Sequence, residues 1–438
     1  MRTTDEVRPP LLEIERAVQA RAKDVALDVT GAEGEHQLRQ LIEDELGRWD
    51  DQFRRGLRPF ELGNPHLVAE RAFRNLARYG PLTPLLEDDD VWEIMINAPD
   101  QIFVKRHVGA SGYHHEVFHD NEHVIRTLTK VLDDASMSHR KLDSTQGLQD
   151  AQLDDGARLH IVHGDLSRGG NAMVNVRKFT GVPYRSLAEL VDRDMLDNRT
   201  ADFLRAAVRA NTSIVFAGAP GCGKTTLMSC CAAELDPMLR VVVAEEVFEA
   251  DVPLPNVASM QTMAARPDRP AVDLRKLVGG FLRMAPDVAI VGEVRDREAL
   301  PLLLTLSSGV KGFTTIHAGS ARQALTRLRF MAQLADEGVN LPMSALNTLV
   351  SEAIDLVVYC ARVADGPRVT AVVAVEDLVA GPEATQFTVT DLFERRGRAH
   401  ALEWTGNLPV RLARAFEAAE MEIGHHLCDR ETGVARPF

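Results

Sequence analysis

The sequence predicts an α/β fold in which a mostly parallel β-sheet forms the core of the larger part of the chain. From Ser213 onward, short apolar runs alternate with segments of helical periodicity, an order typical of parallel strands joined by right-handed crossovers. The pattern GAPGCGKT at residues 218–225 lies between an apolar run and a helical segment, as a phosphate-binding loop requires. The first four apolar runs end in polar or glycine-rich stretches, and sites in open α/β sheets form at the carboxyl ends of strands. We therefore expect these four strand ends to converge on one site.

The segments before this sheet predict an N-terminal helical segment over residues 1–70 and a small α+β domain over residues 71–185. In the first, apolar residues at helical spacing indicate two helices between residues 11 and 55, separated by TGAEGE. In the second, a helical segment over 122–135 lies among strand-like runs. These runs cover residues 91–97, 101–106, 157–162 and 172–179. The phosphate-loop domain and a C-terminal extension are assigned to residues 186–438, after an expected linker at 181–183.

The amino-acid composition of the chain argues against two functional classes, nucleic-acid-binding proteins and membrane-spanning proteins. The chain has 438 residues, enough for two or three domains, with 45% hydrophobic and 26% charged residues. Aromatic residues make up only 5% and the formal net charge is −14, so direct binding of nucleic acid is not expected. No apolar run approaches the ~18–20 residues that span a bilayer, and the first ten residues lack the apolar part of a signal peptide. We expect a cytoplasmic protein without a transmembrane segment.

Cysteine spacing indicates neither a metal site nor a disulfide framework. The five cysteines are Cys222, Cys230, Cys231, Cys360 and Cys428. Cys222 lies inside the phosphate-loop pattern. Backbone amides and Lys224 there would favour an acidic thiol, but plain space-filling is the preferred interpretation. The adjacent Cys230 and Cys231 are expected to be small core residues.

The phosphate loop is the strongest functional signal. Its glycines let backbone amides close around phosphate oxygens at a helix N-terminus. Lys224 would reach the β- and γ-phosphates, and the Thr225 hydroxyl would bind Mg²⁺. The residues assigned to nucleotide binding here are Gly218, Ala219, Pro220, Gly221, Cys222, Gly223, Lys224, Thr225 and Thr226.

Acidic residues end two further apolar runs. DVAIVGE ends in Glu293, which would hold Mg²⁺ or its water. RVVVAEEVFEA carries Glu245 and Glu246, from a strand expected next to the phosphate loop, and one of them would orient or deprotonate the attacking water. Glu293 is the rival for that role. Paired acids on a loop are, however, usually only solvated. Most surface arginines likewise have no specific role, but phosphoryl transfer needs positive charge on the γ-phosphate, and Arg295 lies near these motifs.

His317 lies in GFTTIHAGSARQAL, at the end of the fourth apolar run. By itself it is most simply a structural histidine, since no second metal ligand is in view. Its place beside the other strand ends gives a second interpretation, in which it hydrogen-bonds the γ-phosphate or a neighbouring carboxylate and senses the nucleotide state. Two carboxylates already compete for the role of base, so a sensor fits better.

With these four motifs in this order, the sequence resembles the ATPases of the type II/type IV secretion superfamily, and within it the CpaF/TadA-type ATPases of tight-adherence (Flp) pilus systems. The likeness covers about residues 76–393 and includes YGPLTPLLEDDDVWEIMINAPDQIFVKR and DAQLDDGARLHIV upstream. Four family patterns differ here. EEV replaces Glu-Asp-Thr at 245–247, Ala285 replaces an arginine, SGVKG stands at 308–312 where Gly-His-Asp-Gly is common, and HAGS replaces His-Ala-Asn-Ser at 317–320. None of these changes removes a phosphate-loop group or Glu293.

The resemblance implies a RecA-like phosphate-loop motor domain that forms a homo-hexameric ring and binds ATP and Mg²⁺ between it and the preceding domain. Hydrolysis would drive an inner-membrane platform protein that assembles a pilus or exports protein, with the ATPase held at the inner face of the membrane through its partners. Arg158 and Arg177 match positions from which family members reach the nucleotide. The implied catalytic set is Lys224, Glu245, Glu246, Glu293, His317 and Arg295.

Two other functions stay open from the sequence. One is a nucleic-acid-transfer motor, since related rings serve DNA transfer, although the acidic charge and the few aromatic residues disfavour it. The other is a nucleotide-dependent scaffold that binds ATP and scarcely turns it over.

Overall fold

The computed structural model describes residues 10–29, 31–107, 109–135, 142, 147–178, 184–263, 269–335, 341–363, 366–376, 387–395 and 402–421. The chain divides into two compact units, Met1–Thr180 and Gly181–Phe438. The mixed α/β fold with N-terminal helices expected from the sequence is confirmed. The expected linker at 181–183 and Cys428 lie outside the described residues.

The first unit begins with three helices that share one apolar core. They are α1 (Pro10–Asp24), α2 (Ala32–Arg54) and α3 (Pro65–Ala77). The two helices expected from the periodicity are α1 and α2. The third begins at an Asn64 cap, whose side chain accepts the Leu67 amide, followed by proline at the first helical position. The buried core residues of this group include Ile14, Val18, Leu38, Ile42, Trp49 and Phe73.

An antiparallel sheet of six strands completes the first unit. The short helix α4 (Thr83–Glu87) leads into β1 (Val91–Ala98), β2 (Gln101–Arg106), β3 (Gly112–Tyr113), α5 (Asn121–Asp134), β4 (Leu148–Gln152), β5 (Arg158–Val162) and β6 (Met173–Arg177). The strand order is β3-β2-β1-β6-β5-β4. Apolar residues of β1, β2, β5 and β6 alternate with polar ones and share a core with buried residues of α5. The four predicted strands are present, whereas the edge strands β3 and β4 were not predicted.

The second unit is built on one sheet of nine strands. Its elements are α6 (Leu187–Asp192), α7 (Asn198–Arg209), β7 (Ile214–Gly218), α8 (Lys224–Ala232), β8 (Val241–Glu245), β9 (Val257–Gln261), α9 (Leu274–Val278), β10 (Val288–Val294), α10 (Ala299–Ser307), β11 (Lys311–Ile316), α11 (Ala321–Leu334), α12 (Met343–Ala353), β12 (Leu356–Val363), β13 (Gly366–Val375), β14 (Val389–Arg395), β15 (Leu402–Trp404) and α13 (Val410–Ala418). The order is β15-β14-β13-β12-β7-β11-β10-β8-β9. All neighbours from β12 to β9 pair in parallel, and β12 to β15 pair antiparallel.

The strand order places four motif-bearing strands side by side. β7, β11, β10 and β8 are consecutive and parallel, so the phosphate loop and the segments after His317, Glu293 and Glu245 begin at one edge of the sheet. The expected convergence of four strand ends is therefore confirmed. The expectation that the Glu245 strand lies next to the phosphate loop is wrong, because β11 and β10 lie between β8 and β7. Chain order does not set strand order when crossover helices intervene.

The C-terminal part of the second unit is an integral part of its core. Phe203 of α7 makes an edge-to-face contact with Phe393 of β14 and with Phe416 of α13, at ring distances of 5.2 and 5.9 Å. On α13, Arg411 forms an ion pair with Asp355 at 2.7 Å. In the part of the chain that the structure describes, none of the helices combines the length and apolar character needed to cross a membrane.

Candidate nucleotide-binding site

The phosphate loop has the backbone shape that its glycines predict. It connects the last residue of β7, Gly218, to the first residue of α8, Lys224. Gly221 and Gly223 have φ of 69° and 84°, a region in which side chains with a Cβ are strained. The nine-residue helix α8 thus begins directly after a tight turn, and its first amides have no partners within the helix. This is the arrangement by which helix N-termini bind phosphate.

Lys224 is buried within the loop and contacts the histidine of the fourth motif. Its side chain has only 7% of its surface exposed. Nζ donates to the Ala219 carbonyl oxygen at 3.0 Å and lies 3.2 Å from His317 Nδ1. The same Nδ1 lies 3.2 Å from the Gly218 carbonyl oxygen, so this ring nitrogen is next to both a donor and an acceptor. A nucleotide phosphate would offer Lys224 a stronger, charged acceptor than either of these partners.

Glu293 is contacted from two sides at the end of β10. His317 Nε2 lies 2.7 Å from its Oε1, and Arg295 Nη2 donates to its Oε2 at 2.7 Å. Burial alone would raise the pKa of Glu293, but the hydrogen bonds from His317 and Arg295 outweigh it and lower the pKa to about 2. Its carboxylate is therefore ionised throughout the neutral range.

Arg295 joins the acids of two strands. Nη1 contacts Glu246 Oε2 at 2.6 Å, while Nη2 holds Glu293. The hydrogen bond with Glu293 raises the pKa of the Arg295 guanidinium. Sequence reasoning placed Arg295 in the catalytic set, but nothing in the sequence shows that its two nitrogens bridge separate strands. Its spacing of two residues from Glu293 was the available signal.

Glu245 and Glu246 have different surroundings although they are adjacent. Glu245 is 3% exposed, and its Oε1 accepts the backbone amides of Glu249 and Ala250 at 3.1 and 2.9 Å. Its side chain packs against Gly292, where an added Cβ would lie 2.8 Å from it. Glu246 is exposed and bound by Arg295. Glu245 thus shapes the loop after β8, while Glu246 faces solvent.

The structure brings five of the predicted catalytic residues into one chain of contacts. It runs from Lys224 through His317, Glu293 and Arg295 to Glu246. We call this chain the strand-end network. It links the phosphate loop to the ends of β11, β10 and β8.

Cys222 is fully buried, and burial raises the pKa of its thiol. The acidic thiol that the sequence suggested is therefore wrong, because desolvation outweighs the attraction of Lys224. Cys230 and Cys231 are buried core residues, as expected. Among the described cysteines, all four are free thiols.

Arg158 and Arg177 belong to the first unit and lie directly opposite each other in the β5–β6 pair. Side chains at directly opposite positions share one face of a sheet, and like charges placed there lower stability. Glu93 of β1 lies opposite Arg177 on its other side but is itself bound to Lys105 at 2.5 Å. The two arginines therefore lie on the same face of this sheet.

The residues of the second unit fit Mg²⁺ and a nucleotide. The glycine turn exposes backbone amides, Lys224 supplies an ammonium group, and Glu293 supplies an ionised carboxylate. The Thr225 hydroxyl makes no hydrogen bond with the described residues. Within the described ranges, no group of three or more His, Cys, Asp and Glu side chains could hold a metal by itself. Mg²⁺ is usually held by one or two carboxylates together with phosphate oxygens and water.

Comparison with known proteins gives matches along most of the chain. The sequence model of the type II/IV secretion system protein family matches residues 75–403. PtlH of Bordetella pertussis, a type IV secretion system protein, is 32% identical over 309 residues, which cover 64% of this chain and 88% of that protein. A putative conjugal transfer protein of Mycobacterium tuberculosis is 28% identical over 304 residues, covering 68% and 84%. The crystal structure of the VirB11 ATPase of the Brucella suis type IV secretion system covers 67% of this chain and 94% of its own, at 26% identity and a TM-score of 0.36.

Proposed function

Because the chain belongs to the type II/IV secretion system protein family, we propose that it is a cytoplasmic ATP-hydrolysing motor that powers pilus assembly or protein secretion through an inner-membrane platform protein. The observation that carries this proposal is the strand-end network, which connects the phosphate loop to three neighbouring strands. Binding of a phosphate at Lys224 would therefore change the surroundings of Glu293 and Glu246 through this series of contacts. The order of the four motifs and the residues within them further support a CpaF/TadA-type ATPase of an Flp pilus.

The chain is an ATPase, with residues 218–226 around the phosphates. Mg²⁺ neutralises charge on phosphate oxygens when it is bound, and Thr225 and Glu293 are the residues that would hold it. A carboxylate with a pKa of about 2 is a weak proton acceptor near neutrality, so Glu293 suits binding and orientation better than proton abstraction. We assign the positioning of water to Glu246, since Oε1 of Glu245 is committed to the loop amides.

Arg158 and Arg177 are proposed to supply positive charge to the nucleotide from the first unit. The two arginines lie directly opposite each other on adjacent strands, so their side chains project from the same face of the sheet. Guanidinium groups bind phosphate oxygens through paired donors. The pair therefore has the chemistry that a transferring phosphoryl group needs.

A homo-hexameric ring is proposed as the working form, held at the inner face of the membrane through a platform protein. The proposal rests on the likeness of the motifs to the ring-forming secretion ATPases. A ring would let one chain supply arginines to the nucleotide of another.

Hydrolysis measured against assembly state tests this function. The purified protein is fractionated by size, the mass of each fraction is determined by light scattering, and the rate of Mg²⁺-dependent ATP hydrolysis per chain is measured. The rate per chain should be highest in a hexameric fraction and fall when the protein is diluted to monomer. A monomer as active per chain as the largest assembly would rule out a ring motor.

A nucleic-acid-transfer motor is the second candidate, favoured by the relative named as a putative conjugal transfer protein. The net charge of −14 and the 5% aromatic content argue against direct strand binding. Single-stranded and double-stranded DNA are added to the ATPase assay at several salt concentrations, with heparin as the polyanion control. Stimulation by DNA alone, falling steeply with salt, would favour this candidate; equal rates with and without DNA would dismiss it.

A further inference from the structure

The hairpin formed by β12 and β13 borders the phosphate loop on the side away from the strand-end network. β12 pairs in parallel with β7, and Cys360 lies opposite Gly218, the last residue before the loop. Arg362, two residues further along β12, therefore extends past the end of β7 beside the loop. Strand β11, with His317 after it, lies on the other side of β7. The phosphate loop thus has one neighbour that carries the reacting groups and one that carries Arg362.

Close packing holds this hairpin against the loop at two further points. A Cβ added to Gly218 would lie 2.2 Å from the Cys360 carbonyl oxygen, and one added to Gly223 would lie 3.4 Å from Pro367 and 3.0 Å from Met195. The amide of Val369 donates to the Met195 carbonyl at 2.7 Å. The backbone that carries Arg362 is therefore fixed relative to the loop.

Arg362 itself contacts the loop through its guanidinium group. Its Nη1 donates to the Gly221 carbonyl oxygen at 3.3 Å, and its side chain is exposed. A guanidinium group carries five N–H donors in a planar fork, so a single arginine can bind a carbonyl oxygen and an anion together. An arginine that touches a phosphate loop has the chemistry of a phosphate ligand.

The position of the reacting groups decides which part of a nucleotide would meet Arg362. Lys224, His317 and Glu293 lie towards β11 and β10, so the terminal phosphate points to that side of β7. The remainder of the molecule must leave the loop on another side, and β12 is the opposite neighbour. We infer that Arg362 is a further nucleotide-binding residue, which contacts the nucleotide on the side of the α-phosphate and ribose. This inference rests on the proposed ATPase function and adds a residue to its site.

Binding of ADP and of a non-hydrolysable ATP analogue to the full chain tests the inference. Arg362→Ala should raise the Kd of both nucleotides by about tenfold, the size expected for one charge-assisted hydrogen bond at a partly solvated site. The two losses should be equal because the contact does not involve the γ-phosphate. Arg362→Lys, which keeps one charged donor, should recover part of the affinity. The kcat at saturating ATP should stay within about twofold of wild type.

Arg414→Ala is the matched control, since Arg414 is an exposed arginine on α13, away from the loop. It should leave both Kd values and the thermal unfolding temperature unchanged. An unchanged Kd in Arg362→Ala, or a loss confined to the ATP analogue, would overturn the inference while wild-type binding upheld the proposed function. A lower unfolding temperature without rescue by lysine would also overturn it, since that marks a purely structural role. Wild-type protein that bound neither nucleotide would refute the proposed function as well.

Discussion

Among individual residues, His317 has the central position, because each of its ring nitrogens contacts a different functional group. Nδ1 meets Lys224 of the phosphate loop and Nε2 meets Glu293 of β10. A phosphate that draws Lys224 away changes what Nδ1 can bind, and the same ring transmits this to Glu293. The histidine therefore suits sensing of the nucleotide better than proton transfer.

Replacing His317 with alanine should lower kcat by about 100-fold, the usual cost of losing one organised donor in an active site. The Kd for ADP should change little, because Lys224 and the loop amides stay in place. The measurement is steady-state hydrolysis beside nucleotide binding. His36→Ala, at an exposed histidine of α2, is the control and should behave as wild type. Unaltered kcat in His317→Ala would assign the histidine to packing alone.

Glu293 should make stability depend on pH in the acid range. Its pKa is about 2 in the folded chain against an ordinary value of 4.5. A folded pKa below the unfolded one means that the contribution is full above pH 4.5 and is lost as the pH falls towards 2. The difference in urea midpoint between wild type and Glu293→Gln should therefore be larger at pH 6 than at pH 3.5. A difference that stayed constant, or grew in acid, would contradict the assigned hydrogen bonds.

The types of residue in the site could be predicted from the sequence, but most contacts between them could not. Lys224 and Thr225 follow from a motif with fixed spacing, and its backbone shape is dictated by glycine. The separate surroundings of Glu245 and Glu246 could not be predicted, because they depend on which loop amides fold back onto β8. Arg362 was overlooked for the same reason: it is 141 residues from the glycine it contacts.

At the scale of elements, close approach of β10 and β11 aligns Glu293 with His317. Gly312 lies opposite Ala289, and a Cβ at Gly312 would lie 1.8 Å from the Ala289 carbonyl oxygen. Backbone atoms on both sides leave little room to adjust. Only glycine permits this spacing.

Gly312→Ala should destabilise the second unit by about 3 kcal/mol, because the added methyl group forces two paired strands apart. Hydrolysis should fall with it, since the strand ends lose their alignment. Urea unfolding followed by circular dichroism gives the stability. Gly319→Ala is the control: its Cβ would meet only the flexible end of Gln323, so a change of about 0.5 kcal/mol or less is expected. Equal stabilities for the two variants would contradict this account of the strand pair.

The alternation of strands and helices was readable from apolar runs, whereas the order of the strands was not. β8 precedes β10 and β11 in the chain yet lies beyond both of them from β7. The C-terminal strands were also hard to predict. β15 has only three residues, and its Trp404 packs against Phe393 of the neighbouring strand. Such contacts between distant segments leave no local periodicity.

At the scale of the whole molecule, the first unit carries two arginines that we propose as ligands of the nucleotide. Arg177 lies opposite Arg158 on one sheet face. Guanidinium groups bind phosphate oxygens through paired N–H donors.

Arg177→Ala should therefore lower hydrolysis by a factor on the order of 10³, as loss of an arginine from a phosphoryl-transfer site does. It should leave the thermal unfolding temperature close to that of wild type, because Arg177 is only half-buried. Arg168→Ala, at an exposed arginine of the same unit, serves as the control and should change neither quantity. A variant that lost stability and activity together would point to a structural role.

The central claim, that the chain hydrolyses ATP at the phosphate loop, is tested most directly by Mg²⁺-dependent ATPase activity in wild type and Lys224→Ala. The account predicts clear activity in wild type, none without Mg²⁺, and a loss of at least about 100-fold in Lys224→Ala. Lys23→Ala, at an exposed lysine of α1, should keep wild-type activity. Absence of hydrolysis in wild type, or equal rates in wild type and Lys224→Ala, would contradict it.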